Sequence, residues 1–240
     1  MENITAKEFL SSIESNTVYR NCTFYLGEQH FFKVKNSHFY NCGFYNSALF
    51  LQLENCKFID CDFIGKFALE LKNLKRLPVE IFGYEFLTHL TMEDCEIEYL
   101  PQEIEQLQNL VELKIISCYQ LGVLPKEIGN LQSLKHLYLD GHRNINIPKE
   151  IGNLQQLQAL VLQSSLFTQL PPQIGNLACL RYLHVNTFEL LPSEISNLKS
   201  LEYLSGFIDP RDIPFVESLI PHCQIEHCDK VLRSSSYFIQ

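Results

Sequence analysis

The chain has 240 residues, of which 46% are hydrophobic, and it carries a formal net charge of −9. This length and apolar content suffice for a sizeable buried core, in one large domain or two small ones. The negative charge argues against a nucleic-acid partner, because contacts to a phosphate backbone need clustered Lys and Arg. It weakly favours a partner with a basic surface.

Hydropathy predicts no membrane span, since no run of about 18 apolar residues occurs. The start MENITAKEFLSSIESN has neither a basic segment nor a continuous apolar segment, so no signal peptide is predicted. We therefore expect a cytoplasmic location, with export by a route lacking a cleaved signal as the alternative. Nine cysteines do not then predict disulfides, because cytosolic thiols stay reduced.

The first sixteen residues (1–16) predict a capping helix. In ITAKEF, Thr5 is typical of an N-cap and Glu8 completes a capping box. A helix over residues 5–15 would lay its apolar face over the first coil. That face contains Phe9, Leu10 and Ile13.

Residues 17–63 repeat a short phrase that leaves no room for a helix. TVYRNCTF, FKVKNSHF and LQLENCKF each read as a strand, two residues, Cys or Ser, any residue, and Phe. They start at Thr17, Phe32 and Leu51, so the spacing predicts tight β-solenoid coils. SHFYNCGFYN and CKFIDCDFIG, within residues 37–65, also resemble pentapeptide repeats.

A longer phrase recurs over residues 64–213, at intervals of 23, 23, 24, 23, 23 and 21 residues. Its strand-and-turn parts start at Phe67, Leu90, Leu113, Leu137, Leu160, Leu183 and Leu204. Between them, KEIGNLQSL, KEIGNLQQL and PQIGNLACL follow the pattern of a short helix or 3₁₀ segment entered through proline. Such a unit buries its apolar face only by stacking on its neighbours.

These units resemble the leucine-rich repeat family, in its 23-residue subtype LPxEIGxLxxLxxLxLxxNxLxxLP, over about residues 64–228. The resemblance implies an α/β solenoid, a right-handed superhelix with a parallel concave sheet, which the N-terminal coils extend without a break. It also implies a non-catalytic scaffold for protein–protein interaction, with no enzyme activity and no cofactor. The asparagine of the subtype is absent, and its place holds Lys72, Cys95, Cys118, His142 or Ser165.

The family tolerates cysteine at that position, where the side chain turns inward to backbone groups of the adjacent turn. The resemblance therefore implies a structural ladder of Cys22, Ser37, Cys56, Cys95, Cys118 and Ser165. Cys42 and Cys61 are expected as further inward corner residues. A buried free thiol behaves as a small apolar group. A metal-binding or redox protein that uses these thiols is the alternative from another class.

Residues 214–240 predict a C-terminal cap, with a last helix and strand in FVESLIPHCQIEHC, and a tail. HCQIEHC also invites a zinc site, with Cys223 and His227 as the candidate ligands. Strand alternation would turn these two side chains away from His222 and Cys228, so we favour a cap strand without metal.

Side chains on either side of the repeat leucines face the predicted concave sheet. Glu70, Glu93 and Asp140 fall at the same position of the repeated phrase, so stacking the strands would align them in an acidic column. The later repeats add His136, Tyr138, Tyr182, His184 and Tyr203. Because tyrosine is enriched in binding hot spots, we expect an unidentified protein partner on this face, with Lys or Arg opposite the acidic column. The alternative function is that of a bacterial effector or surface-exposed protein that binds host factors. We expect the protein to be a monomer.

Overall fold

The computed structural model describes residues 2–5, 9–26, 31–46, 48–141, 145–167, 170–187 and 191–227. The chain winds into an α/β solenoid whose strands pair in parallel from coil to coil. One hydrophobic cluster runs from Tyr19 to Ile220, so the core continues from the short coils into the longer units. Among the described residues, none of the helices is both long enough and apolar enough to cross a membrane. The predicted segment boundaries at residues 63 and 213 remain predictions.

The short coils are three-sided. Their strands are β1 (Glu2–Thr5), β2 (Phe9–Leu10), β3 (Thr17–Arg20), β4 (Thr23–Leu26), β5 (Phe31–Lys35), β6 (His38–Tyr40), β7 (Gly43–Asn46), β8 (Ala48–Glu54), β9 (Lys57–Ile59) and β10 (Asp62–Ile64). One side is the sheet β1-β3-β6-β9, and the second is β2-β4-β7-β10. Strands β5 and β8 begin a third sheet, which continues into the longer units.

The helix predicted over residues 5–15 is wrong. Strand β1 pairs with β3 and strand β2 pairs with β4, and residues 11–14 contain no helix. Glu8 of the predicted capping box lies outside the described residues. An N-cap stabilises a helix by about 1 kcal/mol. Pairing with strands β3 and β4 instead forms several backbone hydrogen bonds at once. The N-terminus therefore adds a coil to the stack.

The corners of the coils depend on residues that accept a left-handed backbone. Asn21, Asn36, Asn41, Asn55 and Asp60 have φ between 49° and 53°. Asn and Asp tolerate this conformation better than other residues with a Cβ, because their short side chains can bond to the local backbone. Each of these residues comes directly before an inward Cys or Ser, so the dipeptide marks the corner.

The core of the short coils is a pair of aromatic stacks. Phe44 is fully buried, and its ring stacks at 4.7 Å on those of both Phe24 and Phe63. A second stack, of Tyr19, Phe39 and Phe58, lies edge-on to the first. The repeated Phe therefore packs the core, because equivalent positions in successive coils bring aromatic rings into contact.

The longer units alternate a strand of the third sheet with a 3₁₀ segment. The strands are β11 (Phe67–Lys72), β12 (His89–Glu93), β13 (Glu112–Ile116), β14 (His136–Asp140), β15 (Ala159–Phe167), β16 (Tyr182–Thr187), β17 (Tyr203–Gly206) and β18 (Gln224–His227). The 3₁₀ segments are Val79–Gly83, Gln102–Gln106, Lys126–Asn130, Lys149–Asn153, Pro172–Asn176 and Ser193–Asn197. The predicted last helix is α1 (Ile213–Leu219), and β18 follows it.

The pairing of β11 with β12 shows that the repeat start predicted at Phe67 is two residues too early. Leu69, and not Phe67, pairs with Leu90, and Lys72 pairs with Glu93. The residue in register with Cys95 is therefore Leu74, so Lys72 does not occupy the asparagine place. Phe67, Leu69 and Leu71 all alternate toward the core, and a shift of two residues leaves that alternation unchanged.

Glycines allow neighbouring 3₁₀ segments to approach closely. A Cβ on Gly152 would lie 2.4 Å from the carbonyl oxygen of Gln173 in the next segment. We expect Gly152→Ala to lower the free energy of unfolding by about 1–3 kcal/mol, because the facing backbone must move. Urea unfolding followed by circular dichroism measures the loss. At the control site Gly83, an added Cβ meets no atom within 4 Å, so Gly83→Ala should change stability little. Equal losses at the two sites would contradict this packing.

Candidate functional site

The third sheet turns one face to the core and the other to the concave side of the coil, since side chains alternate along each strand. In β14, Leu137 and Leu139 are fully buried. His136, Tyr138 and Asp140 alternate with them and are partly exposed. The concave face therefore consists of side chains that the core does not require.

Parallel pairing aligns these outward side chains into three columns. The first column contains His89, Glu112, His136, Ala159, Tyr182 and Tyr203. The second contains Glu70, Thr91, Lys114, Tyr138, Val161, His184 and Ser205. The third contains Lys72, Glu93, Ile116, Asp140 and Gln163.

The structure places five predicted site residues on three strands of the sheet, β14, β16 and β17, with β15 between the first two. We call His136, Tyr138, Tyr182, His184 and Tyr203 the concave patch. Ser205 joins two of them: its Oγ lies 2.7 Å from Tyr182 Oη and 2.9 Å from His184 Nδ1. Tyr203 is 44% exposed beside them. At this end of the patch, hydrogen bonds fix Tyr182 and His184, while the adjacent Tyr203 stays open to a partner.

His184 has a buried polar atom without a partner. Its Nε2 makes no hydrogen bond within the part of the chain that the structure describes, although Nδ1 contacts Ser205. A buried, unsatisfied nitrogen costs about 1–3 kcal/mol, and such groups in native proteins are uncommon enough to need an explanation. Core packing supplies none here, since the imidazole stands on the concave face.

Lys114 positions the other end of the patch. Its Nζ lies 5.0 Å from the centroid of the Tyr138 ring and 3.1 Å from Glu112 Oε1. A cation over an aromatic face contributes about 0.5–1 kcal/mol at exposed sites. The His136 ring lies 6.4 Å from that of Tyr138. The Tyr138 ring therefore has a cation and an imidazole as neighbours.

Burial keeps the patch uncharged near neutral pH. It lowers the pKa of both His136 and His184, because the charged imidazolium is the form that loses solvation. It raises the pKa of Tyr138 for the same reason. A neutral, aromatic surface with hydroxyl and imidazole groups suits a partner that offers apolar area and hydrogen bonds.

The histidine at the start of the first column predicts a pH dependence. Burial lowers the pKa of His89 to about 4 from 6.5, so the unfolded chain binds more protons between these values. Stability should be full above pH 6.5 and fall as the pH drops toward 4, by about 2 kcal/mol for this partly exposed group. The groups that act on it are Lys66, Glu112, Lys114 and His136.

Urea unfolding at a series of pH values measures this loss. His89→Gln keeps a polar side chain that does not titrate, so the variant should lose less stability across the same range. An unchanged pH profile in the variant would show that His89 is not the group responsible.

The acidic column predicted from the sequence is wrong in its register. Glu70 belongs to the second column, and Lys72 takes its place beside Glu93. Lys72 Nζ lies 2.7 Å from Glu93 and 3.0 Å from Glu70, so both carboxylates face a cation. In the short coils, Lys35 pairs with Glu54 at 2.7 Å. Asp140 remains in the third column.

Sequence reasoning missed Ser205, Lys114 and Glu112. Ser205 is 6% exposed and stands in register with His184. Ser205 lies in LSGFIDPRDIP, the copy that starts at Leu204 and departs most from the repeated phrase, so the pattern does not mark it as a site residue. Lys114 and Glu112 precede the aromatic residues by one repeat, and aligning all three columns would have placed them beside His136 and Tyr138.

The described ladder residues, Cys22, Ser37, Cys56, Cys95 and Cys118, have buried side chains. Ser37 is fully buried, and its Oγ lies 3.0 Å from the carbonyl oxygens of both Glu14 and Lys35. Five cysteines repeat this pattern, with one carbonyl two residues back and another in the preceding coil. They are Cys22, Cys56, Cys61, Cys95 and Cys118. This geometry supports the structural role that the resemblance implies.

One ladder residue and one residue of the asparagine position cannot be placed. His142 and the side chain of Ser165 lie outside the described residues. The described backbone of β15 includes position 165.

The candidate metal ligands lie at the end of the third sheet. Cys223 packs against the core just before β18, and burial raises the pKa of its thiol. The backbone of His227 pairs with Gly206, while its side chain lies outside the described residues. Across the described ranges, no three His, Cys, Asp or Glu side chains are grouped as metal ligands.

The repeated units match a known family. A model described as a leucine-rich repeat region matches residues 126–221. Residues 126–221 are therefore similar to leucine-rich repeat regions. The family match does not include the coils before residue 126. The 23-residue subtype and the pentapeptide likeness remain predictions.

Solved leucine-rich repeat structures share the fold. A leucine-rich repeat protein of Leptospira interrogans is 31% identical, with a TM-score of 0.57, over 67% of this chain and 48% of that one. The leucine-rich repeat domain of the type III effector XopL is 24% identical, with a TM-score of 0.54, over 67% of this chain and 68% of that one. This chain spans about half the length of the Leptospira protein. A search of curated proteins finds no match.

Proposed function

We propose that this leucine-rich repeat protein is a non-catalytic scaffold that binds a protein partner on its concave patch. The observation that carries the proposal is the preorganised group at Tyr182, Ser205 and His184, which leaves the neighbouring Tyr203 exposed. Tyrosines held in place lose little entropy on binding, and they bury large areas. Leucine-rich repeat regions typically serve as binding modules, and this function needs no cofactor.

The unsatisfied Nε2 of His184 supports the same proposal. A hydrogen bond to a partner would satisfy this nitrogen and remove the cost of leaving it unpaired. The basic surface predicted for the partner has weaker support, since Lys72 and Lys35 face the glutamates of the third sheet. It rests on the net charge of −9.

Capture from a lysate of the source cells tests the proposal. The bait is the intact chain, and the test variant replaces Tyr138, Tyr182 and Tyr203 by alanine. The control variant replaces Tyr99, Tyr119 and Val123, which are 66%, 58% and 53% exposed. Tyr99 and Val123 pair outside the concave sheet. A protein retained by wild type and control but lost from the test variant is the expected result. Loss from the control variant alone would move the site off the concave face.

A second candidate function is that of a bacterial effector that binds host proteins. Its support is the likeness to a Leptospira protein and, at the level of fold, to the repeat domain of a type III effector. Capture from host and bacterial lysates in parallel separates the two candidates. A partner found in the bacterial lysate alone would count against the effector.

A further inference from the structure

Corner cysteines stack directly on one another in successive short coils. Gly43 N donates to Cys22 O at 3.0 Å, and Asp62 N donates to Cys42 O at 2.9 Å. Strands β7 and β10 pair Gly43 with Asp62, so Cys42 and Cys61, one residue earlier, stand in register. Neighbouring strands lie about 4.8 Å apart, and a disulfide accepts Cα separations of about 4.4–6.8 Å. The backbone spacing therefore suits a bond between these two sulfurs.

The two thiols differ in their access to solvent. Cys42 is 2% exposed, whereas Cys61 is partly exposed and lines an open cavity of about 1070 Å³. Cys61 reaches this cavity because β10 is the last strand of its sheet, so no further coil covers it. Phe86 and Asn109 lie among the residues that form the rest of the cavity wall.

Contact between the thiols distinguishes their chemistry. A hydrogen bond between the two side chains raises the pKa of Cys42 and lowers that of Cys61. The thiolate is the nucleophilic form of cysteine, so ionisation favours the sulfur that faces the cavity. An edge strand paired on one side also shifts more readily than a strand paired on both.

We propose that Cys61 and Cys42 form an oxidation site, with Cys61 as the reacting thiol and Cys42 as the resolving one. A hydroperoxide transfers its distal oxygen to the Cys61 thiolate, which breaks the O–O bond and gives a sulfenic acid and water or an alcohol. Cys42 Sγ then attacks the sulfenic sulfur, and the sulfenic oxygen leaves as water when the disulfide forms. The two thiols lose two electrons and two protons in total, and the hydroperoxide takes them up.

A second stacked pair provides an internal control. Cys95 and Cys118 follow Glu93 and Ile116, which pair in register, and their thiols also share a hydrogen bond. That bond lowers the pKa of Cys95 to about 6. Cys95 is 2% exposed, however, and Cys118 is fully buried. Both pairs have the same spacing and the same contact between thiols. A difference in their reactivity would therefore reflect the difference in solvent exposure.

Oxidation of the intact chain tests this site, and it does so independently of the proposed function. The native protein is treated with hydrogen peroxide, alkylated after unfolding, digested and examined by mass spectrometry. The expected product is a peptide linked through Cys42 and Cys61 that has lost two hydrogen atoms. Native alkylation without oxidant should modify Cys61 at least about tenfold faster than Cys118.

Variants separate the two roles. In Cys42→Ser, Cys61 should accumulate as a sulfenic acid that dimedone traps, because the resolving thiol is gone. In Cys61→Ser, Cys42 should remain reduced. Circular dichroism checks that both variants fold. Absence of the Cys42–Cys61 link in oxidised wild type, or equal linking of Cys95 with Cys118, would overturn the proposal.

Discussion

Replacing Phe44 by alanine is expected to lower the free energy of unfolding by about 3–5 kcal/mol. Phe44 is fully buried, and its ring stacks at 4.7 Å on Phe24 and on Phe63, so its removal leaves a cavity between two coils. Urea unfolding followed by circular dichroism measures the loss. The control is Ile64→Ala in the next coil, where the side chain is 61% exposed and the expected loss is under about 1 kcal/mol. Similar losses at both positions would contradict a stacked aromatic core.

Replacing Phe86 by alanine is expected to uncouple the short coils from the repeats. Phe86 comes from the loop after the first 3₁₀ segment, and its ring lies 3.9 Å from Phe63, 4.9 Å from Phe58 and 6.0 Å from Phe67. It therefore ends the aromatic stacks of the short coils and joins them to the first long unit. The substitution should lower the free energy of unfolding by about 3 kcal/mol.

Tryptophan probes report the two halves separately, because the chain has no tryptophan of its own. Tyr25→Trp reports the short coils, and Tyr203→Trp reports the repeats. With Phe86 present, we expect one urea midpoint from both probes. In Phe86→Ala, the midpoint at position 25 should fall below that at position 203. Coincident midpoints in that variant would show that another contact couples the halves. Phe215→Ala, on an exposed ring of α1, is the control.

The repeated units were predictable from the sequence because stacking repeats the same environment. A buried leucine in one unit predicts a buried leucine in the next, and the fold follows from that recurrence. Inward corner cysteines were predictable for the same reason. The left-handed residue before each of them was also visible, in the dipeptides of Asn or Asp with Cys or Ser, but the prediction did not use it.

Two kinds of signal misled the prediction. At the N-terminus, Thr5 and Glu8 form a local helix signal worth about 1 kcal/mol, which cannot compete with pairing to β3 and β4. At Phe67, the alternation of apolar residues fits two registers, and only the neighbouring strand decides between them. The error moved Glu70 into the wrong column and produced an acidic stripe. Contacts such as Ser205 with His184 depend on neighbouring coils, so spacing within one unit does not show them.

Position-specific photo-crosslinking tests the central claim, that the concave patch is the surface that contacts a partner. A photoreactive phenylalanine analogue replaces Tyr203, 44% exposed on the concave sheet, in one variant and Tyr99, 66% exposed outside that sheet, in another. After irradiation in a lysate, we expect a covalent adduct to one protein from position 203 and none to that protein from position 99. An adduct from position 99 with none from position 203 would contradict the claim.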